Sequence, residues 1–447
     1  MSSMGSEHMR IAIQRSSQVS GVFAGAGMMG GRQGVPLSLP LPFLLTGISA
    51  AALFAVLLPW IIPEALITPA FPHVLMLVHL VTLGWLTMTM MGASLQLVPV
   101  IIASPLRATR FLCWQYPLYG TGVVLLLAGF WWMLPWLMIT GGTLVVLAVV
   151  HYIAVLAITF ARTEARPLTV RYLIAALVYL GIVVSLGLTA ALDFQFVFLG
   201  AGFNRLLLTH ITLGVAGWLT SMLIGVSYTL VRLFALAHGH DDSIGRVVFW
   251  LLNGGIIGLA LGFSLDWLPL IIAGGLLLSI AAWLFGYDYW RMLRVRHRKV
   301  LDATQYHAIA SVVYLLLVVP AGIVAALAGW NQPAVLVALV LAALVGWLGQ
   351  SVIGYLYKIV PFLIWQERYG ALVGKQKVPL MREMLHERWT WAGWWLINGG
   401  LVAVMLALLL SPWTWPVQLA GLALAGGCVL ALLNIAGVVR HLKKRAG

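Results

Sequence analysis

Three segments of the chain decide the fold: GWLTMTMMGASLQLVP at 84–99, GWLTSMLIGVSYTLVR at 217–232 and GWLGQSVIGYLYKIVP at 346–361. Each begins with Gly-Trp, has a second glycine seven residues after the tryptophan, and has proline or arginine seven residues later. Glycine at this spacing returns to one helix face after about two turns and permits close packing between helices. The segments therefore predict three helices that occupy equivalent places in one fold.

The spacing of these segments indicates an internal repeat. Trp85, Trp218 and Trp347 lie 133 and 129 residues apart, and each interval contains four long apolar stretches. Internal repeats are a common way of building helical membrane proteins. We therefore expect three pseudo-equivalent units of four helices, at roughly 41–160, 171–288 and 303–436, with the second, sixth and tenth helices in corresponding positions.

Composition makes the lipid bilayer the solvent of this chain. The protein has 447 residues, of which 62% are hydrophobic and 9% charged, and its mean hydropathy is +1.01. A soluble domain carries about 25% charged residues. So much apolar surface cannot be buried inside a soluble core, and only helices or closed barrels cross a bilayer. The fold class is therefore all-α, a polytopic membrane protein.

Twelve apolar stretches are long enough to cross about 30 Å of hydrocarbon as helices. They lie at roughly 41–63, 71–102, 110–130, 133–160, 171–196, 203–236, 245–264, 268–288, 303–327, 332–362, 390–411 and 413–436. A flexible polar tail is expected at 1–40 and a basic tail at 437–447.

Arginine and lysine concentrate in alternate loops, which places those loops and both termini in the cytoplasm. A bacterial-type inner membrane is the expected location. The net charge of +14 is explained by this topology and by contact with anionic lipid, so no nucleic-acid partner is inferred. Cys113 and Cys428 form no CxxCH motif, which argues against covalently attached haem.

Histidines inside the predicted spans are the main candidates for function, because ionisable residues in a bilayer are costly. His79 in the second span and His210 in the sixth lie at a similar depth, about 10 Å below the outer surface. A single buried histidine is more often a hydrogen-bonded structural residue. Two imidazoles that face each other could instead bind the iron of a haem b or a copper ion.

Other polar residues form a second tier of candidates. His73, at the mouth of the second span, is an interfacial residue, a residue of a second site, or the partner of His79 in place of His210 as a metal or haem ligand. Arg205, at the outer end of the sixth span, is either an interfacial anchor or the partner of a haem propionate. His151 and His307 lie in the inner half, too deep to share a site with His79. They bind a second cofactor, belong to a proton path or have structural roles.

The chain resembles subunit I of the haem-copper oxidase superfamily, in particular nitric oxide reductases and NnrS-like proteins. The resemblance rests on the twelve spans, on the segment from His79 through Gly84-Trp85 to Gly92, and on the segment that begins at His210. It implies a haem-ligand role for His79 and, more weakly, a metal-ligand role for His210. The usual haem histidines of the tenth span and the copper histidines of the seventh are absent from this sequence, so a conventional oxygen-reducing centre is not expected.

These observations give two hypotheses. The first is a haem-binding membrane protein that transfers electrons or handles a diatomic gas such as nitric oxide, with a redox protein or other membrane subunits as partners. Activity as an oxidoreductase stays open, and no catalytic residue is identified. The second is a bundle without a cofactor that acts as a transporter or as a structural subunit of a larger membrane complex.

Overall fold

The computed structural model describes residues 35–443 except 69, 165, 238–239 and 298–299. The described part of the chain is helical, and twelve of its helices are long and apolar enough to cross a membrane. The predicted all-α, twelve-span fold is therefore confirmed, and the protein is a multi-pass membrane protein. The predicted tail at 1–40 lies almost wholly outside the described residues. The basic tail predicted at 437–447 overlaps the end of the last helix, which is α-helical to Val439.

The twelve spanning helices are numbered in chain order. Their bounds are α1 Pro40–Ile67, α2 Pro72–Ile101, α3 Thr109–Trp131, α4 Pro135–Ala161, α5 Leu168–Phe196, α6 Gly202–Ala235, α7 Ser243–Leu265, α8 Leu268–Arg294, α9 Ala303–Leu327, α10 Pro333–Leu372, α11 Glu387–Leu410 and α12 Trp415–Lys443. Proline occupies the first turn of several of them, α2, α4 and α10 among others, where its missing N–H costs no hydrogen bond.

The helices pack as pairs joined into a closed bundle. The closest pairs are α3 with α4, α7 with α8, and α11 with α12, and in each pair the helices follow each other in the chain. Further packing joins α4 to α5, α8 to α9, and α12 back to α1. The helices α2, α6 and α10 have the largest buried shares, so they form the centre of the bundle. The apolar side chains exposed on the remaining helices contact lipid.

Each central helix contains an eight-residue π-helical segment at the same place in its sequence. The segments are Leu80–Thr87, Leu213–Thr220 and Ala342–Gly349, and each contains the Gly-Trp pair. A π-helical turn widens the helix locally and is frequent at functional sites. The three segments follow the same spacing as the sequence segments that predicted the repeat.

The tryptophans of these segments link the three central helices to one another. The indole Nε1 of Trp218 donates to Thr87 Oγ1 at 2.9 Å, and that of Trp347 donates to Thr220 Oγ1 at 3.1 Å. The corresponding link from α2 to α10 is missing, because Gly349 stands where the other two segments have threonine. Among the described residues, the buried Nε1 of Trp85 has no hydrogen-bond partner.

The second glycine of each repeated segment receives a side chain from the preceding helix. A Cβ at any of the three would lie 2.5–3.0 Å from the Cβ of one residue there; the pairs are Gly92 with Phe43, Gly225 with Tyr172, and Gly354 with His307. Any larger residue at these glycines would push the two helices apart. The glycine spacing that predicted close packing therefore reflects contacts with the preceding helix.

The two ends of the bundle differ in charge. At one end, here called the basic end, the arginine-rich loops contact each other, as in the bridge between Ala237 and Arg296. His240 in one of these loops places its Nε2 3.1 Å from Oδ1 of Asp288, at the end of α8, and both side chains are buried. At the other end, here called the acidic end, the loops carry few basic residues, and Arg205 pairs with Asp266.

Candidate functional site

His79 lies at the junction between the first turns of α2 and its π-helical segment. The α-helical part ends at His79, and the π-helical part begins at Leu80. The imidazole Nδ1 lies 2.7 Å from the carbonyl oxygen of Leu75, one turn earlier in the same helix. A carbonyl only accepts, so Nδ1 carries the proton and donates. The lone pair of Nε2 is therefore available to a metal.

His210 also carries its proton on Nδ1, but the carbonyl that accepts it belongs to a neighbouring helix. It lies on α6, three residues before the π-helical segment. Its Nδ1 donates to the carbonyl oxygen of Val183 on α5, at 3.0 Å. One turn along α5, Gly187 faces the ring, and a Cβ there would lie only 3.0 Å from Cε1 of His210. The glycine thus leaves the space that the imidazole occupies.

The structure brings these two histidines together. The ring centroids of His79 and His210 are 6.5 Å apart, with an angle of 31° between the ring planes. Two imidazoles on opposite sides of one metal ion, each bound through a nitrogen at about 2.0–2.1 Å, have centroids about 6.3 Å apart. The observed separation is therefore close to that of two ligands on opposite sides of one metal.

Aromatic residues of α3 and α5 border the pair. Phe130 stacks on the ring of His79, with centroids 4.7 Å apart and planes 24° apart. Phe130 also contacts Phe194 edge to face at 6.5 Å, and Phe194 contacts Phe203. These rings form an apolar surface beside the histidines, on the side toward the acidic end. Such a surface suits a flat, largely apolar group.

The two histidines lie at a similar depth but not at matched repeat positions. They are seven and eight residues into α2 and α6, or about 10 and 12 Å from the helix starts. By the repeat spacing, His79 corresponds to Thr212, and His210 corresponds to Leu77. The pair is therefore a feature of the boundary between the first two units and not a product of the repeat.

His73 and Arg205 have other partners. Nδ1 of His73 is 2.9 Å from a carboxylate oxygen of Glu64, and its ring lies 4.4 Å from that of Trp131. Arg205 pairs with Asp266 at 3.2 Å, and both side chains are more than half exposed. If His73 bound a metal, only its Nε2 would be available, because Nδ1 contacts Glu64. To bind a haem propionate, Arg205 would have to break its ion pair with Asp266. The role predicted for Arg205 therefore stays a prediction.

His151 and His307 each bind a glutamine that the sequence reading did not single out. Nδ1 of His151 hydrogen-bonds Oε1 of Gln115, and Nδ1 of His307 hydrogen-bonds Oε1 of Gln350. His307 and Gln350 are fully buried. Nε2 of His307 has no partner among the described residues. The two histidines lie in different units and do not form a common site with each other.

Only two metal-binding side chains meet at the candidate site. Within the described residues, no group of three or more histidine, cysteine, aspartate or glutamate side chains could bind a metal ion together. The sequence reading missed the two residues that shape the site, Phe130 and Gly187. Phenylalanine and glycine are frequent in these spans, so no pattern marked either of them.

Comparison with protein families and with curated proteins identifies no relative of this chain. No protein family model matches the chain, and no curated protein matches it.

Proposed function

We propose that the protein is a haem-binding integral membrane protein in which His79 and His210 would hold the iron of a haem b. The bound haem would supply one-electron transfer near the acidic end of the bundle. The histidines would bind the iron through Nε2, and the backbone carbonyls of Leu75 and Val183 would hold both rings in the tautomer that leaves Nε2 free.

The separation of the two imidazoles is the observation that carries this proposal. Ring centroids at 6.5 Å are close enough for both histidines to bind one metal and too far apart for a direct hydrogen bond between the rings. Because both Nδ1 atoms donate to backbone carbonyls, each histidine keeps the lone pair of Nε2 for a metal.

The number of ligands favours haem over a bare metal ion. A haem iron already has four porphyrin nitrogens and needs only axial ligands from the protein. Zinc sites use three or four protein ligands, and copper sites commonly use three. The described residues bring two histidines together and no third ligand. Copper stays the alternative that metal analysis would reveal.

With both histidines holding its iron, a bound haem would supply electron transfer and not gas binding. The resemblance to nitric oxide reductases and NnrS-like proteins supports a haem ligand on α2. If the basic end faces the cytoplasm, as the distribution of arginines indicates, the haem lies near the periplasmic side of an inner membrane. A periplasmic or membrane-bound redox protein is then the partner that the location suggests.

The test is an optical spectrum of the purified protein. We expect a Soret band that sharpens and shifts on reduction with dithionite, with about one haem per chain. His79→Ala and His210→Ala should each abolish or shift this band. His73→Ala and His151→Ala serve as controls, because their rings bind Glu64 and Gln115 instead.

Two results would refute the haem assignment. One is a protein that is purified folded but has no Soret band, even when haem is supplied during expression. The other is a band that persists unchanged in both His79→Ala and His210→Ala. Metal analysis of the same samples would separate a copper site, which gives copper without haem, from a bundle that has no cofactor and acts as a transporter or subunit.

A further inference from the structure

Hydrogen bonds at two levels join α5 to α7. The hydroxyl of Tyr172 donates to the carbonyl oxygen of Gly245 at 2.9 Å, and the hydroxyl of Tyr179 donates to Oδ1 of Asn253 at 2.7 Å. The second bond lies seven residues beyond the first on α5 and eight beyond it on α7, so the two helices run parallel from the basic end. Their first turns are therefore neighbours.

An arginine stands beside the first of these hydrogen bonds on each helix. Arg171 precedes Tyr172 and Arg246 follows Gly245, and each is the fourth residue of its helix. Both arginines are exposed, and neither has an ion pair or a side-chain hydrogen bond with another described residue. They lie about 5 Å from the helix starts, where an arginine side chain reaches the lipid headgroups.

The acids of the neighbouring loops do not neutralise these arginines. Asp241 and Asp242, the acids closest in sequence to Arg246, are paired with arginines of α8 and α6. Glu164, the acid closest in sequence to Arg171, is exposed in the loop before α5 and has no ion pair within the described part of the chain. The charge of both guanidinium groups is therefore available to an anion from outside the chain.

A repeated motif relates α7 to α11 in the third unit. The sequence LLNGG at 251–255 corresponds to LINGG at 396–400. In both copies the asparagine amide donates to the carbonyl oxygen four residues earlier, at 2.7 and 2.8 Å. Counting back from the motif, Trp391 is the counterpart of Arg246.

The second glycine of each repeated segment relates α5 to α9 in the same way. Tyr172 and His307 each pack against that glycine in their own unit, so Tyr306 is the counterpart of Arg171. The rings of Tyr306 and Trp391 are in contact, with centroids 5.3 Å apart. By the repeat, the two arginines of the second unit therefore occupy facing positions that aromatic rings occupy in the third.

A row of apolar side chains that face the lipid runs on from each arginine. On α5 the row contains Ile174 and Val178, three and seven residues after the arginine, and on α7 it contains Trp250 and Ile257. Residues at these spacings share one face of a helix. A group held by the arginines would thus have an apolar, lipid-facing surface directly beside it. A phospholipid has this order of parts, with a phosphate above its acyl chains.

We infer that Arg171 and Arg246 bind the phosphate of an anionic phospholipid whose acyl chains lie along the exposed rows of α5 and α7. Guanidinium groups match the geometry of phosphate oxygens and can bind them in pairs. The site differs from the general attraction of basic loops to anionic lipid, because it depends on two particular side chains and one helix boundary. It contains no residue of the histidine site, so it is independent of the proposed function.

Native mass spectrometry of the purified full-length protein, titrated in detergent with phosphatidylglycerol, tests the site. Combining Arg171→Gln with Arg246→Gln should weaken binding of the tightest lipid about tenfold or more. Combining Arg110→Gln with Arg294→Gln removes the same charge from the basic end and should leave the affinity unchanged, because these two arginines lie over aromatic rings of their own helices. Equal affinities in the two double variants would overturn the inference.

A second pair of variants keeps every charge and serves if the arginine variants fail to fold. By the same motif, Trp250 of α7 corresponds to Trp395 of α11, and the two side chains are 70% and 66% exposed. Trp250→Ala should weaken binding of phosphatidylglycerol about threefold or more, because an acyl chain loses its contact with the indole. Trp395→Ala should leave it unchanged. The same affinity in both variants would rule out acyl chains along α7.

Two further ligands identify the source of the phosphate. Inorganic phosphate should not displace phosphatidylglycerol from the wild-type protein, because it makes no contact with the apolar rows. Displacement that depends on Arg171 and Arg246 would instead show a site for free phosphate and overturn the lipid assignment. Zwitterionic phosphatidylcholine should bind the wild-type protein and the Arg171→Gln, Arg246→Gln variant equally weakly. A tenfold difference for this lipid as well would overturn the preference for an anionic headgroup.

Discussion

Replacement of Thr87 by valine tests the hydrogen bonds that join the three central helices. Valine has nearly the shape of threonine, so the change removes the hydroxyl and little else. The indole N–H of Trp218, which donates to Thr87 at 2.9 Å, would then be buried without a partner. A stranded buried donor costs about 1–3 kcal/mol in water-soluble proteins, and hydrogen bonds between membrane helices are worth about 0.6 kcal/mol on average. We therefore expect Thr87→Val to lower the free energy of unfolding by about 1 kcal/mol.

The equivalent tryptophans provide an internal comparison. Trp218→Phe removes a donor that is hydrogen-bonded, whereas Trp85→Phe removes one that has no partner among the described residues. Both changes shrink a buried ring to the same extent. Trp85→Phe should therefore cost about 1 kcal/mol less than Trp218→Phe. The difference in unfolding free energy between the two variants measures the contribution of the hydrogen bond, because both variants leave a similar cavity.

The assay is unfolding of the detergent-solubilised protein by increasing dodecyl sulfate, followed by circular dichroism. Thr143→Val is the control, because its exposed hydroxyl binds only the carbonyl of Ile139 in its own helix. That change should stay within about 0.5 kcal/mol of wild type. Equal unfolding midpoints for Thr87→Val and Thr143→Val, together with equal midpoints for Trp85→Phe and Trp218→Phe, would contradict a stabilising hydrogen bond between Trp218 and Thr87.

Two further substitutions test packing and charge. Gly225→Ala would place a Cβ 2.5 Å from the Cβ of Tyr172 on α5, so we expect the free energy of unfolding to fall by about 1–3 kcal/mol. Gly120→Ala is the control and should change it very little, because nothing lies within 4 Å of a Cβ there. Asp288→Asn removes the buried charge that faces His240, and we expect it to destabilise the protein by about 3 kcal/mol. Asp241→Asn, in an exposed ion pair with an arginine, should leave the unfolding midpoint nearly unchanged. Equal unfolding midpoints for Gly225→Ala and Gly120→Ala would contradict the packing assigned to Gly225. Equal midpoints for Asp288→Asn and Asp241→Asn would contradict the role assigned to the buried Asp288.

The spans and the repeat could be predicted from the sequence because both depend on properties that one chain displays locally. A run of about twenty apolar residues is visible in any window, and the repeated Gly-Trp pattern needs only counting. The π-helical segments were not predictable in this way. Their sequences, such as Leu80–Thr87, have the same apolar character as the α-helical turns around them.

The candidate site was predictable only in part. Depth along a helix follows from residue number, so the similar levels of His79 and His210 could be read from the sequence. Their approach to 6.5 Å depends on how the first and second units pack side by side, which no local pattern records. For the same reason Gly187 could not be told from Gly181, and Gln115 could not be matched with His151.

The cyclic order of the tryptophan links bears on how the chain could have arisen. Each unit presents an indole to the unit before it, and the first presents Trp85 to the third, at Gly349. A surface that binds head to tail closes into a ring when the rotation per copy divides a full circle. One four-helix unit with threonine at the position of Gly349 would thus carry both halves of a self-assembling trimer. The present chain has two of those three joints, and at the third the ring of Trp85 packs on Gly349, with its Cη2 2.5 Å from the position that a Cβ there would take.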